Sequence, residues 1–234
     1  KLKKNKFIYF NILSIGSHNL KEYGNTFKDI NINKKKLDII NIQFSTKRAQ
    51  DISIFSSKLI RKLTENFIKR KPNLILLLGD RYEVFVTSYV ATLFKIPIAH
   101  FCGGDETIGS YDNNFRDAIS HLANYHFTTN TKSKNKIIKL INSKKNVYNF
   151  GHISLNNITK KKILSKKEIE KNFNLKFGKK SILITFHPLT KEKNKTKKYF
   201  QNLLSVLTNL RKTTLIFTSS NADHEGRIIK KMIN

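Results

Sequence analysis

The chain has 234 residues, 39% of them hydrophobic, a single cysteine and a formal net charge of +29. That length suffices for one or two domains with a real core, and one cysteine excludes a framework of internal disulfides. No stretch approaches the roughly 20 apolar residues of a membrane span, and no secretory signal is visible, so we expect a cytoplasmic protein without membrane contact. The lysines are spread along the chain and accompany abundant Asn and Ile. We therefore expect composition bias and no nucleic-acid partner, although a positive field favours an anionic small substrate.

The first part of the chain is predicted to repeat a strand and a helix. Predicted strands cover residues 7–13, 37–44, 74–78, 98–101, 125–128 and 147–150, predicted helices cover 52–70, 82–94, 111–122 and 133–141, and residues 20–32 are irregular. The helix 52–70 carries apolar residues at helical spacing, with Asp51 as its predicted N-cap. The run 74–78 has no polar alternation, as in a strand buried on both faces of a parallel sheet. This pattern predicts an α/β fold with a parallel sheet.

A second strand–helix series begins after Gly151 and His152, the predicted hinge. A lysine-rich helical stretch covers 154–173, with Ser165 and Glu168 spaced as a capping box. Strands at 181–186 and 213–218 and helices at 196–210 and 225–233 follow. We therefore expect two lobes, residues 1–150 and 151–234, of which the second is incomplete. The start at a lysine and the early end of the second lobe lead us to expect a piece of a longer polypeptide.

Polar corners follow several of the predicted strands, where open parallel sheets bind their ligands. Asp80 lies between a strand and a helix, where it could be an N-cap or a functional carboxylate. Arg81 and Glu83 crowd into the same corner, called the first corner, which favours a functional role for Asp80. The polar corner 219–223 precedes the last helix and could bind a phosphate through helix N-terminal amides.

The polar corner after the predicted strand 98–101, called the second corner, is richer in carboxylates. Gly103 and Gly104 free the backbone to approach a ligand, and Asp105 and Glu106 follow them directly. Asp112 lies one loop away, at the next predicted helix start. Several carboxylates at adjacent strand ends suit general acid–base chemistry, and a turn rich in Asp and Gly is the alternative.

Metal binding and histidine chemistry are further alternatives. His100, Cys102 and Asp105 lie at short spacing, but no second cysteine or helical histidine pair accompanies them, so we expect no metal. His187 ends a strand of the second series before a proline, and His18 ends the first strand, so either one could be structural or functional. The chain contains neither a P-loop nor a Gly-x-Gly-x-x-Gly motif, so kinases and dinucleotide-dependent dehydrogenases lose support.

At these residues the chain resembles the hydrolysing UDP-N-acetylglucosamine 2-epimerases of sialic-acid and related sugar biosynthesis. The resemblance covers essentially the whole chain and rests on six motifs in the family's order: Gly16-Ser17-His18 with Tyr23-Gly24-Asn25-Thr26, Leu78-Gly79-Asp80-Arg81-Tyr82-Glu83, His100-Phe101-Cys102-Gly103-Gly104-Asp105, Gly109 to Asp112 with Arg116, Phe186-His187-Pro188-Leu189-Thr190, and Ser220-Asn221-Ala222-Asp223 with Gly226-Arg227.

The resemblance implies two Rossmann-like lobes of GT-B type, with the nucleotide held mainly by the second lobe. It also implies elimination of UDP across C1 and C2 of the sugar and addition of water, giving N-acetylmannosamine and UDP without metal or cofactor. A homo-oligomer is expected for the full-length protein. The residues that it implies as catalytic are Asp80, Asp105, Asp112 and His187. Those implied to bind substrate are His18, Arg81, Glu83, His100, Gly103, Gly104, Glu106, Arg116 and Asn221.

Three departures from the family pattern bear on the substrate. The family usually has Glu at the position of Asp105 and His at the position of Cys102. Where the family has an Arg-His pair, this chain has Arg116 and Asp117. Asp105 is one methylene shorter, so a proton relay needs a closer backbone, or Glu106 replaces it. A relative acting on a 2,4-diacetamido sugar nucleotide or on another nucleotide sugar, a transferase and a non-catalytic basic binding module stay open. We expect the 234 residues alone to be inactive, because the resemblance places further family elements before and after them.

Overall fold

The chain opens with two short parallel strands and a long helix. The computed structural model describes residues 5–45, 48–158, 163–192, 194–220 and 225–233. Strand β1 (Ile12–Ser14) pairs in parallel with β2 (Leu37–Ile39), and short 3-10 turns occupy most of the segment between them. Helix α1 (Ala49–Lys69) follows. Both strands are shorter than predicted, because only three residues of each form the ladder.

A four-stranded parallel sheet forms the centre of the molecule. Its strands are β3 (Ile75–Leu78), β4 (Ile98–Phe101), β5 (Tyr125–Thr128) and β6 (Val147–Asn149), hydrogen-bonded in that order. The connecting helices are α2 (Tyr82–Leu93), α3 (Asp112–Leu122) and α4 (Thr131–Ile141). These elements confirm the predicted series, and since the strands are parallel, their carboxyl ends lie at one edge of the sheet.

Helix α1 supplies much of the core. Phe55, Leu59, Leu63 and Phe67 recur at helical spacing and are at most 3% exposed. They pack with residues of β3, β4 and α2 in one hydrophobic cluster. The predicted N-cap Asp51 is wrong, because the helix begins earlier and Asp51 lies in its first turn, where its carboxylate accepts a hydrogen bond from Arg48 at 2.9 Å.

Strand β3 is buried on one face, whereas burial on both faces was predicted. Leu77 faces the helices and is 7% exposed, whereas Leu76 and Leu78 on the other face are 47% and 61% exposed. The apolar composition on both faces is typical of a parallel strand. Within the described residues only one face of the strand is covered.

The rest of the chain forms a separate two-stranded sheet with its helices. Helices α5 (Leu155–Ile158) and α6 (Lys166–Phe173) come first, and the predicted capping box of Ser165 and Glu168 is confirmed. Strands β7 (Lys180–Ile184) and β8 (Thr213–Phe217) are parallel, with α7 (Thr196–Leu207) between them and α8 (Gly226–Ile233) after them. No helix of the described residues is both long enough and apolar enough to cross a membrane.

Candidate active site

A cavity of about 500 Å³ opens at the carboxyl ends of β3, β4 and β5. It brings together five of the residues proposed from the sequence, and these are Asp80, Gly104, Asp105, Glu106 and Arg116. The other residues that line it are Gly79, Cys102, Thr107, Thr129, Asn130, Lys132, Ser133 and Lys136. Carboxylates that follow β3 and β4 thus share one open space with cations of α3 and α4, at the edge of the sheet where the strand-end rule predicts a ligand.

Arg116 ties the corners of this cavity together. The residue is 5% exposed, and one guanidinium nitrogen, Nη2, forms an ion pair with Asp80 Oδ2. The other, Nη1, donates to the backbone carbonyl of Asp105 and to Asn113 Oδ1, both at 2.6 Å. Burial lowers the pKa of the Arg116 guanidinium, and the charge of Asp117 opposes that shift.

Asp80 is not a helix cap. The N-cap position of α2 is Arg81, and no side chain caps that helix. Asp80 instead lines the cavity and points its carboxylate at Arg116. The capping alternative is therefore wrong.

Asp105 is fixed by both its main chain and its side chain. Its carboxylate oxygen Oδ1 accepts hydrogen bonds from the hydroxyls of Thr129, at 2.5 Å, and Ser133, at 2.6 Å. Glu106, the next residue, is exposed at the cavity wall. Of the two adjacent carboxylates, Asp105 is the one that the protein holds in place.

His100 lies beneath the cavity and does not line it. The residue is fully buried, its Nε2 lies 2.8 Å from the carbonyl oxygen of Gly79, and its Nδ1 lies 3.1 Å from Ser120 Oγ. Burial lowers its pKa to about 4, so the ring is neutral at pH 7. Both ring nitrogens face protein groups, so His100 supports the corner between β3 and α2. A contact of this residue with a substrate, proposed from the sequence, stays a prediction.

The two glycines of the second corner allow close packing. A Cβ atom on Gly103 would collide with Ser120 Oγ and His100, and one on Gly104 would collide with the carbonyl oxygen of Ser133. Gly104 also has a φ of +79°, a backbone conformation that side chains disfavour. The glycines therefore bring the corner against α3 and α4, and a direct contact with a ligand stays a prediction.

Arg81 and Glu83 pair with each other, and the Glu83 side chain packs against Gly16 just after β1. Glu83 is 5% exposed, and its carboxylate lies 3.3 Å from Arg81 Nε. A Cβ on Gly16, which has a φ of +68°, would collide with the Glu83 side chain. Neither charged residue lines the 500 Å³ cavity, and their contact with a substrate stays a prediction.

His18 lines a second cavity, of about 450 Å³. Its Nδ1 lies 2.6 Å from Thr26 Oγ1, and the two cavities share no lining residue. Residues from the β8–α8 corner, among them Ser220 and Arg227, line the other wall. Arg227 forms a bidentate ion pair with Glu22, at 2.7 and 2.5 Å, which joins the two walls. The predicted phosphate site lies partly in this wall, but Asn221 falls outside the described residues.

Asp112, the first residue of α3, and His187, which follows β7, lie outside the 500 Å³ cavity. Asp112 Oδ2 accepts a hydrogen bond from Ser110 Oγ at 2.7 Å, and the Tyr111 amide donates to Thr190 Oγ1 at 2.9 Å. His187 is exposed, three residues before Thr190. The loop that precedes Asp112 is thus joined to the segment that follows His187. Their predicted catalytic roles stay predictions.

A third polar corner, which follows β5, was not predicted from the sequence. Thr129, Asn130, Lys132, Ser133 and Lys136 line the cavity from the end of β5 and the first turns of α4. The signal was available, because residues 129–131 follow a predicted strand just as Asp80 and Gly103 do. Among the described residues, no group of three or more His, Cys, Asp or Glu side chains is arranged to hold a metal ion.

Comparison with known proteins identifies the family. The family model described as "UDP-N-acetylglucosamine 2-epimerase" matches residues 1–234. A hydrolysing GDP/UDP-N,N'-diacetylbacillosamine 2-epimerase of Campylobacter jejuni is 32% identical over 232 residues, which is 99% of this chain and 60% of that protein. A hydrolysing UDP-N,N'-diacetylbacillosamine 2-epimerase of Legionella pneumophila is 27% identical over 236 residues, covering 100% of this chain and 62% of that protein. The chain thus spans about three fifths of the length of these relatives.

Solved structures show the same fold. The UDP-GlcNAc 2-epimerase of Methanocaldococcus jannaschii, in complex with UDP-GlcNAc and UDP, aligns with a TM-score of 0.74 at 19% identity over 98% of this chain and 62% of that one. The enzyme of Neisseria meningitidis bound to UDP-GlcNAc aligns with a TM-score of 0.73 at 21% identity over 99% and 64%. The predicted GT-B type of α/β fold is thereby confirmed. With its whole length matched by the family model, the chain belongs to the UDP-N-acetylglucosamine 2-epimerase family.

Proposed function

We propose that the protein is a hydrolysing 2-epimerase that acts on a nucleotide-linked 2,4-diacetamido sugar. The similarity to the Campylobacter jejuni enzyme carries this proposal, because it extends over 99% of the chain at 32% identity. The UDP-N-acetylglucosamine 2-epimerase of Neisseria meningitidis is 22% identical over 85% of the chain. UDP-N-acetylglucosamine was the substrate first expected from the sequence, and these relatives favour the alternative, a 2,4-diacetamido sugar nucleotide.

The reaction needs groups that move a proton and groups that stabilise charge. A base removes the proton at C2 while the bond between C1 and the nucleoside diphosphate breaks, which leaves a double bond between C1 and C2. Water then adds its hydroxyl at C1, and a proton returns to C2 on the opposite face. Substrate and water thus give the 2-epimer of the free sugar and the nucleoside diphosphate.

The cavity offers these groups in fixed positions. Asp105 can take the proton at C2, because its main chain and one carboxylate oxygen are held and the residue lines the cavity. Asp80 forms an ion pair with the buried Arg116, which keeps a negative charge at the wall. Such a charge favours the positive charge that develops at C1 as the diphosphate leaves. Lys132 adds a cation to the lining of the cavity, where it can attract the anionic nucleotide.

We also infer that the chain divides near Gly151 into the two lobes expected from the sequence. The four-stranded sheet and its cavity precede this residue, and the separate β7–β8 sheet follows it. In the proposed enzyme the first lobe holds the sugar, and the second contributes to the nucleotide site.

Proton NMR in deuterated water tests the reaction. The full-length protein is incubated separately with UDP-N,N'-diacetylbacillosamine, its GDP counterpart and UDP-N-acetylglucosamine. We expect a free 2-epimerised sugar that carries deuterium at C2, released from a diacetamido substrate with a kcat/KM at least tenfold above that for UDP-N-acetylglucosamine. A preference for UDP-N-acetylglucosamine would refute the substrate assignment. Absence of release from all three sugars would refute the enzyme assignment.

Two matched variants test the choice of carboxylate. Asp105→Asn keeps the shape of the side chain and removes its basicity, so we expect kcat to fall by about 100-fold or more. Glu106→Gln makes the same change one residue later, in an exposed side chain, and should keep kcat within about tenfold. The reverse order of the two effects would move the proton transfer to Glu106.

A further inference from the structure

Two hydroxyls hold one oxygen of Asp105. Thr129 Oγ1 donates at 2.5 Å and Ser133 Oγ at 2.6 Å, and both bonds end on Oδ1. Thr129 lies just after β5, and Ser133 lies in the first turn of α4. Hydrogen bonds to a charged acceptor are roughly twice as strong as neutral ones, so the pair fixes the rotation of the carboxylate about its Cβ–Cγ bond.

Asn130 orients both donors. Its Nδ2 donates to Thr129 Oγ1 at 3.0 Å, which leaves the threonine proton for Asp105. Its Oδ1 accepts from the Ser133 amide at 2.8 Å and thereby caps α4. Ser133 is only 3% exposed, so water competes little with Asp105 for its hydroxyl proton.

The other oxygen of Asp105 has a different environment. Within the described ranges, Oδ2 receives no hydrogen bond, and Asp105 lines the cavity. Arg116 holds the backbone carbonyl of the same residue at 2.6 Å. One oxygen is thus anchored, and the other is left for the reacting molecule.

We propose that Thr129 and Ser133 are positioning residues for Asp105: they hold its Oδ1 so that its Oδ2 takes the proton from C2 of the sugar. This inference rests on the proposed function. It predicts that the hydroxyls affect the proton transfer and leave substrate affinity unchanged, because neither hydroxyl is directed at the substrate.

Kinetics of hydroxyl-deleting variants test the proposal in the full-length protein. Thr129→Val is isosteric and Ser133→Ala removes one atom, and we expect each to lower kcat about tenfold and the double variant about 100-fold, since small errors of position are costly in catalysis. KM should stay within about twofold, and Thr129→Ser, which retains the hydroxyl, should restore kcat to within about threefold. Thr128→Val is the control, because that hydroxyl bonds to backbone carbonyls away from Asp105. An unchanged kcat, an equal loss in the control, or a rise in KM alone would overturn the proposal.

A thermal-unfolding cycle separates this inference from the proposed function. In the wild-type background Thr129→Val should lower Tm by about 2–4 °C, and in an Asp105→Ala background by almost nothing, because the partner is already gone. Equal losses in the two backgrounds would refute the contact itself. If the cycle shows coupling but the wild-type protein releases no sugar from any substrate, the contact stands and the proposed function fails.

Discussion

Replacing Arg116 with methionine should destabilise the protein more than any exposed arginine replacement does. The guanidinium is 5% exposed and serves Asp80, the Asp105 carbonyl and Asn113 at once. Removing one partner of a buried ion pair costs about 3–5 kcal/mol. The Asp80 side chain is 25% exposed, so water can replace part of the lost contact. We therefore expect the free energy of unfolding to fall by about 3 kcal/mol, the lower end of that range, which corresponds to a fall in Tm of about 6–12 °C at this chain length.

Urea and thermal unfolding of Arg116→Met beside Arg61→Met measure this effect. Arg61 is the matched control, because it also pairs with a carboxylate, that of Glu65, but its side chain is 82% exposed. Exposed pairs contribute little, so this variant should unfold like the wild type. Asp80→Asn combined with Arg116→Met should lose less than the sum of the two single changes. Equal losses for the two arginine variants would show that the three contacts of Arg116 do not stabilise the cavity.

Three further predictions concern titration, backbone and core. The pKa of His100 falls from 6.5 to about 4 on folding. Each pKa unit is worth about 1.4 kcal/mol, so the contribution of His100 to the free energy of unfolding should be level above pH 6.5 and fall by up to about 3 kcal/mol toward pH 4, as followed by urea titrations across that range. Gly104→Ala places a Cβ against a backbone carbonyl of α4 and should cost about 3 kcal/mol, whereas Gly79→Ala, also at positive φ but with open space around it, should cost only about 1–2 kcal/mol in the same titration. Leu59→Ala empties a fully buried site in α1 and should lower the free energy of unfolding by about 2–5 kcal/mol, while the half-exposed Ile54→Ala should cost less than about 1 kcal/mol.

Periodicity predicted the helices and most of the strands well, and the first two strands poorly. The bounds of β4 and β5 agree residue for residue with the prediction, because both lie between strands that pair with them on either side. The first strand was predicted over residues 7–13 from its apolar composition, yet Phe7 is 99% exposed and the ladder begins at Ile12. Composition reports which residues can join a strand, whereas the ladder depends on a partner elsewhere in the chain.

The residues of the candidate site were likewise predicted only in part. The strand-end rule located Asp80 and Asp105, because it follows from parallel topology alone, whereas Arg116 in α3 was proposed only from the family resemblance. It did not separate His100, which lies on the strand that leads to the same corner but is turned toward Ser120. Whether a residue near a strand end faces the cavity or the layer beneath it depends on side-chain direction, and sequence spacing does not give that direction.

The shorter carboxylate at Asp105 can be understood from its neighbours. The family resemblance leads one to expect Glu there, which would reach one methylene further. Here Gly104, without a Cβ, lies against the carbonyl of Ser133, and so the first turn of α4 comes close to the corner. That approach brings the hydroxyls of Ser133 and Thr129 within 2.6 Å of the Asp105 carboxylate. The glycine, the shorter acid and the two hydroxyls therefore form one arrangement, so that lengthening the acid by Asp105→Glu should break both hydroxyl contacts and lower kcat.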